Sequence, residues 1–142
     1  MIKILIIVLL LPIIGAAKTV DDKIIKTAKS YLGTKYRLGG NTKKSIDCSG
    51  FTKAVFKTQG KTLPRTSYTQ IKRGKKKTKK TAEKGDLIFF GDSSRYVGHV
   101  GIILDPIKKT MIHASSARGK VVISSYNTQY YNNKFRGIRE IL

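Results

Sequence analysis

The chain has 142 residues, of which 29 are Lys or Arg and eight are Asp or Glu, so its net charge is +21. Apolar residues make up 40% of the chain, which is enough for one globular domain and excludes a disordered polycation. A single Cys excludes an internal disulfide and a zinc site made of four cysteines.

The N-terminal residues have the pattern of a secretory signal peptide. Lys3 gives a positive start, residues 4–11 are an unbroken apolar run, and Gly15 and Ala17 suit a cleavage site. The apolar stretch is shorter than the ~20 residues that a membrane-spanning helix needs, although an uncleaved anchor is the alternative. We therefore predict a signal peptide over 1–17 and a mature domain over 18–142. The domain is expected in the periplasm, cell wall or medium, without stable membrane insertion.

Helices are predicted in the first half of the mature chain. In order, the predicted segments are a helix (20–31), a loop (34–45), a helix (48–59), a short helix ending near Arg73, and a solvated basic loop (72–80). Asp47 is a good N-cap for the second helix, and Cys48 lies on the apolar face of that helix.

Strands are predicted in the second half. The β-rich segments are 86–90, 97–104 and 109–114, with weaker candidates at 120–124 and 135–141. Helices that precede a run of strands indicate an α+β fold, in which the N-terminal helices pack on a mainly antiparallel sheet.

His99 and His113, the only two histidines, fall on the two arms of one predicted hairpin. The turn at Asp105 and Pro106 centres this hairpin near residue 106, which is the mean of 99 and 113. We therefore expect the two rings directly opposite each other on one sheet face, with Cβ atoms about 4.5–5.5 Å apart. Gly101 would leave room beside the rings, and a slip of one residue would separate them.

One Cys at a helix N-terminus and two adjacent imidazoles suit a thiol hydrolase. The helix N-terminus is expected to lower the pKa of the Cys48 thiol. One histidine would accept the thiol proton and the other would fix the tautomer of the first. The competing interpretations are three unrelated structural residues, or a Cys-His-His zinc site, which lacks a nearby Glu to act as base.

Several motifs in order resemble the NlpC/P60 cysteine peptidases of bacterial cell walls. They are YLGTKYRLGG (31–40), DCSGF (47–51), LPRTS (63–67), GDLIFF (85–90), GHVGI (98–102) and IHASS (112–116). The similarity runs from about residue 23 to the C-terminus. It implies a papain-like fold and hydrolysis of peptide bonds in peptidoglycan stems, commonly between D-glutamate and a diamino acid. We expect a monomer with no metal and no cofactor.

The resemblance also assigns roles to individual residues. Cys48 matches the nucleophile, His99 the general base and His113 the third polar residue of the family. Tyr36 matches a tyrosine that lines the site and helps to hold the oxyanion together with the Cys48 backbone N–H.

Three further residues near the nucleophile are open to interpretation. Asp47 and Ser49 match residues that can contact substrate, but helix capping explains them equally well. Leu38 stands where the family often has an aromatic residue, so the pocket wall differs there.

The positive charge and the enzymatic assignment each leave alternatives. The charge is expected to attract the protein to an anionic wall, with a merely solvated surface as the alternative. Nucleic acid is not expected as a partner, since the basic run lacks interleaved aromatics. The alternatives to a peptidase are an amidase or acyltransferase on the same scaffold, or a non-catalytic cationic wall-binding protein.

Overall fold

A computed structural model describes residues 2–8 and 19–142. Residues 2–8 form neither helix nor strand. The predicted cleavage point before Lys18 and most of the predicted signal peptide lie outside the described residues. Among the residues that are described, no helix has the length and apolar character needed to cross a membrane.

Four helices are present in the described part of the chain. They are α1 (Val20–Lys29), α2 (Cys48–Lys57), α3 (Ser67–Gln70) and α4 (Gln129–Lys134). Thr19 caps α1 by accepting from the Asp22 backbone N–H, and Asp47 caps α2 by accepting from that of Gly50. α4 was not predicted.

The strands form one eight-stranded sheet. They are β1 (Lys35–Tyr36), β2 (Ser45–Ile46), β3 (Lys75–Lys77), β4 (Leu87–Phe90), β5 (His99–Asp105), β6 (Thr110–Ser115), β7 (Lys120–Ser125) and β8 (Phe135–Glu140). In the chain, β1 and β2 lie between α1 and α2, and the other strands come after α3. Their order across the sheet is β2-β1-β7-β6-β5-β4-β8-β3. β1 and β2 pair in parallel and every other pair is antiparallel, which confirms the predicted α+β fold.

Apolar side chains cover both faces of the sheet. The larger core joins α1 and α2 to the face that carries Val100, Ile102 and Ile112. A smaller core covers the other face around Ile103 and Met111, and Tyr131 of α4 packs against it. Because residues alternate along a strand, β5 and β6 contribute to both cores.

The basic run at 72–80 is not a loop throughout, so that prediction was wrong. Lys75–Lys77 form β3, which pairs with β8 at the edge of the sheet. Lys77 is only 7% exposed at its side chain and forms ion pairs with Asp86 at 2.8 Å and Glu83 at 3.1 Å. Ion pairs with two carboxylates thus keep the Lys77 side chain buried, although the sequence predicted that the whole basic run is solvated.

Candidate active site

Cys48 is the first residue of α2 and belongs to the larger core. It is 7% exposed. Its Sγ lies 3.7 Å from the carbonyl oxygen of Gly98, to which the thiol donates a weak hydrogen bond. Gly98 precedes His99 in the chain, so the fold brings the thiol beside the start of the strand that carries the first histidine.

The environment of Cys48 raises the pKa of the thiol, contrary to the expected lowering. Burial is the largest cause, and the negative charge of Asp47 acts in the same direction. Backbone N–H groups, including that of Val100, favour the thiolate but do not outweigh burial. The free protein therefore holds a neutral thiol, and a base must take its proton before it can attack.

A buried ionic network fixes the N-terminus of α2. Arg65 binds Asp47 through two parallel hydrogen bonds of 2.9 and 2.8 Å, and it also donates to Ser49 Oγ at 2.9 Å. Burial raises the pKa of Asp47, but the bonds from Arg65 and from the Gly50 and Gly39 backbones outweigh it, so the net shift is downward. Asp47 is therefore an ionised helix cap, the structural alternative raised for it above.

The two histidines do share one face of the sheet, but they are not directly opposite. The pairs Ile102↔Ile112 and Ile103↔Met111 centre the hairpin at 107, so the predicted register was wrong by two residues. An even shift keeps a side chain on its face. His99 Nε2 lies 2.7 Å from His113 Nδ1, and the rings are nearly perpendicular at 77°.

Gly101 leaves the space that the histidine pair occupies, as predicted. A Cβ atom built at this position would lie 3.2 Å from His113 Cβ and 3.0 Å from Met111 Sδ. Both contacts are tighter than ordinary van der Waals packing. A larger residue there would push against the second ring.

Ser124 on β7 extends the hydrogen-bonded pair of histidines, a contact that the sequence did not predict. Its Oγ lies 2.9 Å from His113 Nε2. β7 pairs with β6 so that His113 faces Val122, which places Ser124 two residues farther along on the same face. The strand predicted at 120–124 is the signal that could have identified it, because side chains alternate between the two faces along a strand.

Burial keeps both imidazoles neutral. It lowers the pKa of His99 from its ordinary value of 6.5 to about 4. Burial, with a smaller contribution from the neighbouring His99, lowers the pKa of His113 to about 3. His113 is 1% exposed. At neutral pH each ring therefore carries one N–H and one free lone pair, so either ring can accept a proton.

A cavity of about 530 Å³ lies beside the pair. Its walls include Tyr36, Gly98, His99, and Tyr130 and Tyr131 of α4. Burial is the largest cause that raises the pKa of Tyr36, and the negative charge that Cys48 carries once ionised, then that of Asp47, act in the same direction. This phenol therefore stays a hydrogen-bond donor.

Of the other predicted site residues, none lines this cavity. The Cys48 thiol contacts Gly98, one of the wall residues, at 3.7 Å. Leu38, where the pattern departs from the family, is 82% exposed. Tyr36 and His99 thus line one cavity, and His113 is bonded to His99. Asp47 and Ser49 both belong to the ionic network with Arg65.

A neutral thiol beside a chain of neutral imidazoles can perform nucleophilic acyl transfer. The bond between the rings occupies His99 Nε2 and leaves Nδ1 as the nitrogen available to the thiol. Within residues 2–8 and 19–142, no three His, Cys, Asp or Glu side chains are grouped to hold a metal ion.

Two known peptidases are among the proteins similar to this chain. The murein DD-endopeptidase MepS/murein LD-carboxypeptidase of Escherichia coli is 39% identical over 126 residues, which cover 87% of this chain and 64% of that protein. The gamma-D-glutamyl-L-lysine dipeptidyl-peptidase of Bacillus cereus is 37% identical over 123 residues, 85% of this chain and 36% of that protein. The chain thus spans less than two thirds of the length of these relatives.

A solved structure shows the same architecture. The crystal structure of an NlpC/P60 family protein from Bacillus cereus superposes with a TM-score of 0.82 at 35% identity, over 89% of this chain and 41% of that one. The fold is therefore the papain-like one that the sequence motifs implied. The sequence model of the NlpC/P60 family matches residues 33–140, which include Tyr36, Cys48 and both histidines. By fold, by sequence and by the order of its motifs, the chain belongs to the NlpC/P60 family.

Proposed function

We propose that the protein is a cysteine peptidase that hydrolyses peptide bonds in the stem peptides of peptidoglycan. The observation that carries the proposal is that the thiol lies against the residue before His99, at the start of the strand that carries one member of a hydrogen-bonded histidine pair. Cys48 Sγ touches the residue before His99, and His99 is bonded to His113 at 2.7 Å. The two relatives described above are both named as peptidases, which supports the same class of reaction.

In the proposed reaction, His99 Nδ1 takes the thiol proton as Sγ bonds to the carbonyl carbon of the substrate. The carbonyl electron pair moves onto oxygen and gives a tetrahedral oxyanion. Its collapse breaks the C–N bond, and the leaving amine receives the proton from His99. Water then attacks the thioester with His99 again as base, which releases the carboxylate and restores the thiol.

The oxyanion needs hydrogen-bond donors that are already in place. The Cys48 backbone N–H is one, because it opens α2 and has no acceptor in a preceding helical turn. The phenol of Tyr36 is the second, because its raised pKa keeps it protonated beside the nucleophile. We assign this pair to the oxyanion.

The bond between D-glutamate and the diamino acid is the proposed point of cleavage. One relative has a name that specifies a gamma-D-glutamyl-L-lysine bond, whereas another is named for DD-endopeptidase and LD-carboxypeptidase activities. Digestion of purified peptidoglycan, with the fragments identified by mass, tests the bond separately from the chemistry. Fragments that end at D-glutamate are expected, and cleavage elsewhere in the stem would correct the bond and leave the peptidase class intact.

Variants of the three central residues test the chemistry. Cys48→Ala should lower hydrolysis by at least about 10³-fold while the fold persists, and His99→Ala should be nearly as severe. His113→Asn should retain more activity than His113→Ala, because an amide oxygen can still accept the His99 N–H. Cys48→Ser is the matched control, since it keeps the shape and replaces only sulfur.

The remaining alternatives predict different results in the same assays. A zinc enzyme would lose activity to a chelator while iodoacetamide had no effect on the metal-loaded protein, and that pair of results would refute the thiol mechanism. An amidase would release intact stem peptides from the glycan. A non-catalytic wall-binding protein would sediment with sacculi and leave them undigested.

Export is part of the proposal. A murein substrate lies outside the cytoplasm, and residues 1–17 have the composition of a signal peptide. N-terminal sequencing of the exported protein should begin at Lys18, whereas a retained Met1 would indicate an anchored form. We propose that the exported domain works as a monomer.

A further inference from the structure

A hydroxyl group lies at the far end of the histidine pair. Ser124 Oγ is 2.9 Å from His113 Nε2, and His99 Nε2 is 2.7 Å from His113 Nδ1. His113 is 1% exposed, so both of its ring nitrogens depend on these protein partners. The hydrogen-bond state of one ring therefore constrains the state of the other.

Two proton arrangements satisfy these distances. In the first, His99 Nε2–H donates to His113 Nδ1, and His113 Nε2–H donates to Ser124 Oγ. In the second, every bond is reversed, because the serine hydroxyl can donate as well as accept. His99 then carries its proton on Nδ1, the nitrogen that should receive the thiol proton, and cannot act as a base.

Only the first arrangement is compatible with the charged intermediate stage of the reaction. When His99 becomes an imidazolium, both of its nitrogens carry protons. Its Nε2–H must then find a lone pair on His113 Nδ1, since two N–H groups facing each other at 2.7 Å would repel. His113 must therefore keep its own proton on Nε2, and a buried N–H there needs an acceptor.

We propose that Ser124 is a positioning residue that holds His113 in the Nε2–H tautomer and so leaves His99 Nδ1 free to act as the base. This inference rests on the proposed cysteine peptidase function. Ser124 does not touch the thiol, and it acts only through the second ring. Its half-buried position on β7 lets the hydroxyl accept from His113 and leaves its own proton free to bond to water.

A matched pair of variants isolates the hydroxyl. Ser124→Thr keeps it and Ser124→Val replaces it with a methyl group of the same shape, and both residues suit a strand. Ser124→Val should lower kcat by about tenfold, the loss expected from one buried hydrogen bond, and leave KM within about twofold. Ser124→Thr should stay close to the parent protein. Ser125→Ala is the control on the opposite face, since Ser125 Oγ accepts only a local bond from Asn127.

Two further measurements separate positioning from packing. The ¹⁵N NMR resonances of the His113 ring should report a protonated Nε2 in the parent chain and a population shifted to Nδ1–H in Ser124→Val. In a His113→Ala background, Ser124→Val should cause no additional loss of kcat, because the residue through which Ser124 acts is gone.

These measurements test the role of Ser124 separately from the proposed peptidase function. An unchanged His113 tautomer in Ser124→Val would overturn the inference, whether kcat falls or not. A full additional loss in the His113→Ala background would overturn it as well. If the parent chain does not cleave stem peptides, the proposed function fails, yet the NMR comparison still decides how Ser124 sets the tautomer. A folded Cys48→Ala protein suffices for that comparison.

Discussion

Replacement of Arg65 by Met should destabilise the protein in a strongly pH-dependent way. Arg65 binds both carboxylate oxygens of Asp47 and donates as well to Ser49 Oγ and the Gly40 carbonyl. Asp47 is only 6% exposed. The methionine would leave the cap of α2 as a buried carboxylate without a cation.

The magnitude follows from the burial of the two partners. Removal of one member of a buried ion pair costs about 3–5 kcal/mol. The Arg65 side chain is 35% exposed, so water can reach part of the vacated site, and we expect the low end, about 3 kcal/mol at pH 7. Loss of Arg65 removes two of the causes that lower the pKa of Asp47, so we expect burial to outweigh the remaining Gly50 and Gly39 bonds and the pKa to rise. Protonation would then neutralise the orphaned carboxylate as the pH falls.

Urea unfolding at pH 7 and pH 4 measures this dependence. In the parent protein, the pair contributes stability above the ordinary pKa of Asp, and this is lost as the pH falls through the lowered value. The difference between the parent and Arg65→Met should therefore be largest at pH 7 and shrink at pH 4. Arg65→Lys should be intermediate, and Arg37→Met is the control at an exposed arginine. An equal difference at both pH values would refute the reasoning.

Two other predictions concern pH and salt. Because burial lowers the pKa of His99 to about 4, kcat/KM should hold from pH 7 down to about pH 5 and fall only below that, and a decline centred at pH 6.5 would contradict the lowered pKa. Because the chain carries a net charge of +21, a rise from low to moderate ionic strength should weaken sedimentation with intact sacculi. Turnover of a small soluble stem peptide should change much less. If sedimentation and turnover were equally sensitive to salt, the charge would act at the active site and not through attraction to the wall.

Chain order and periodicity were enough to predict that the two histidines meet. The predicted hairpin centre was off by one residue, because the turn extends to Lys109, which has φ 56°, and a bulge interrupts the pairing after Ile103. An error of one residue in the hairpin centre shifts the residue paired with His99 by two positions. Because side chains alternate along a strand with a period of two, this shift keeps them on the same face. The prediction that both histidines lie on one face is therefore confirmed, although the predicted register was wrong.

Properties that depend on burial could not be predicted in the same way. The helix N-terminus suggested a lowered pKa for Cys48, but the depth of the thiol in the core reverses the sign. α4 places Tyr131 with its ring centre 4.7 Å from that of Phe90 and 6.0 Å from that of His113, although its sequence has no clear apolar period. Both effects arise from packing between segments that are distant in the chain.

The neutral histidine pair that suits catalysis should also make the protein sensitive to acid. In the unfolded chain each histidine binds a proton near pH 6.5, whereas in the folded protein the pKa values are about 4 for His99 and about 3 for His113. As the pH falls below 6.5, only the unfolded chain takes up these protons, so stability is lost from there down through the folded values.

A variant that lacks the His113 ring tests this loss of stability in acid. From pH 7 to pH 5, His113 alone should cost about 2 kcal/mol of stability, since one pKa unit corresponds to 1.36 kcal/mol. Between pH 7 and pH 5, the free energy of unfolding of His113→Gln should therefore fall by about 2 kcal/mol less than that of the parent, as measured by urea unfolding. Its hydrolysis rate should nevertheless be lower. If the two proteins lost stability in parallel, the second ring would not be held neutral by burial, and the tautomer argument for Ser124 would lose its basis.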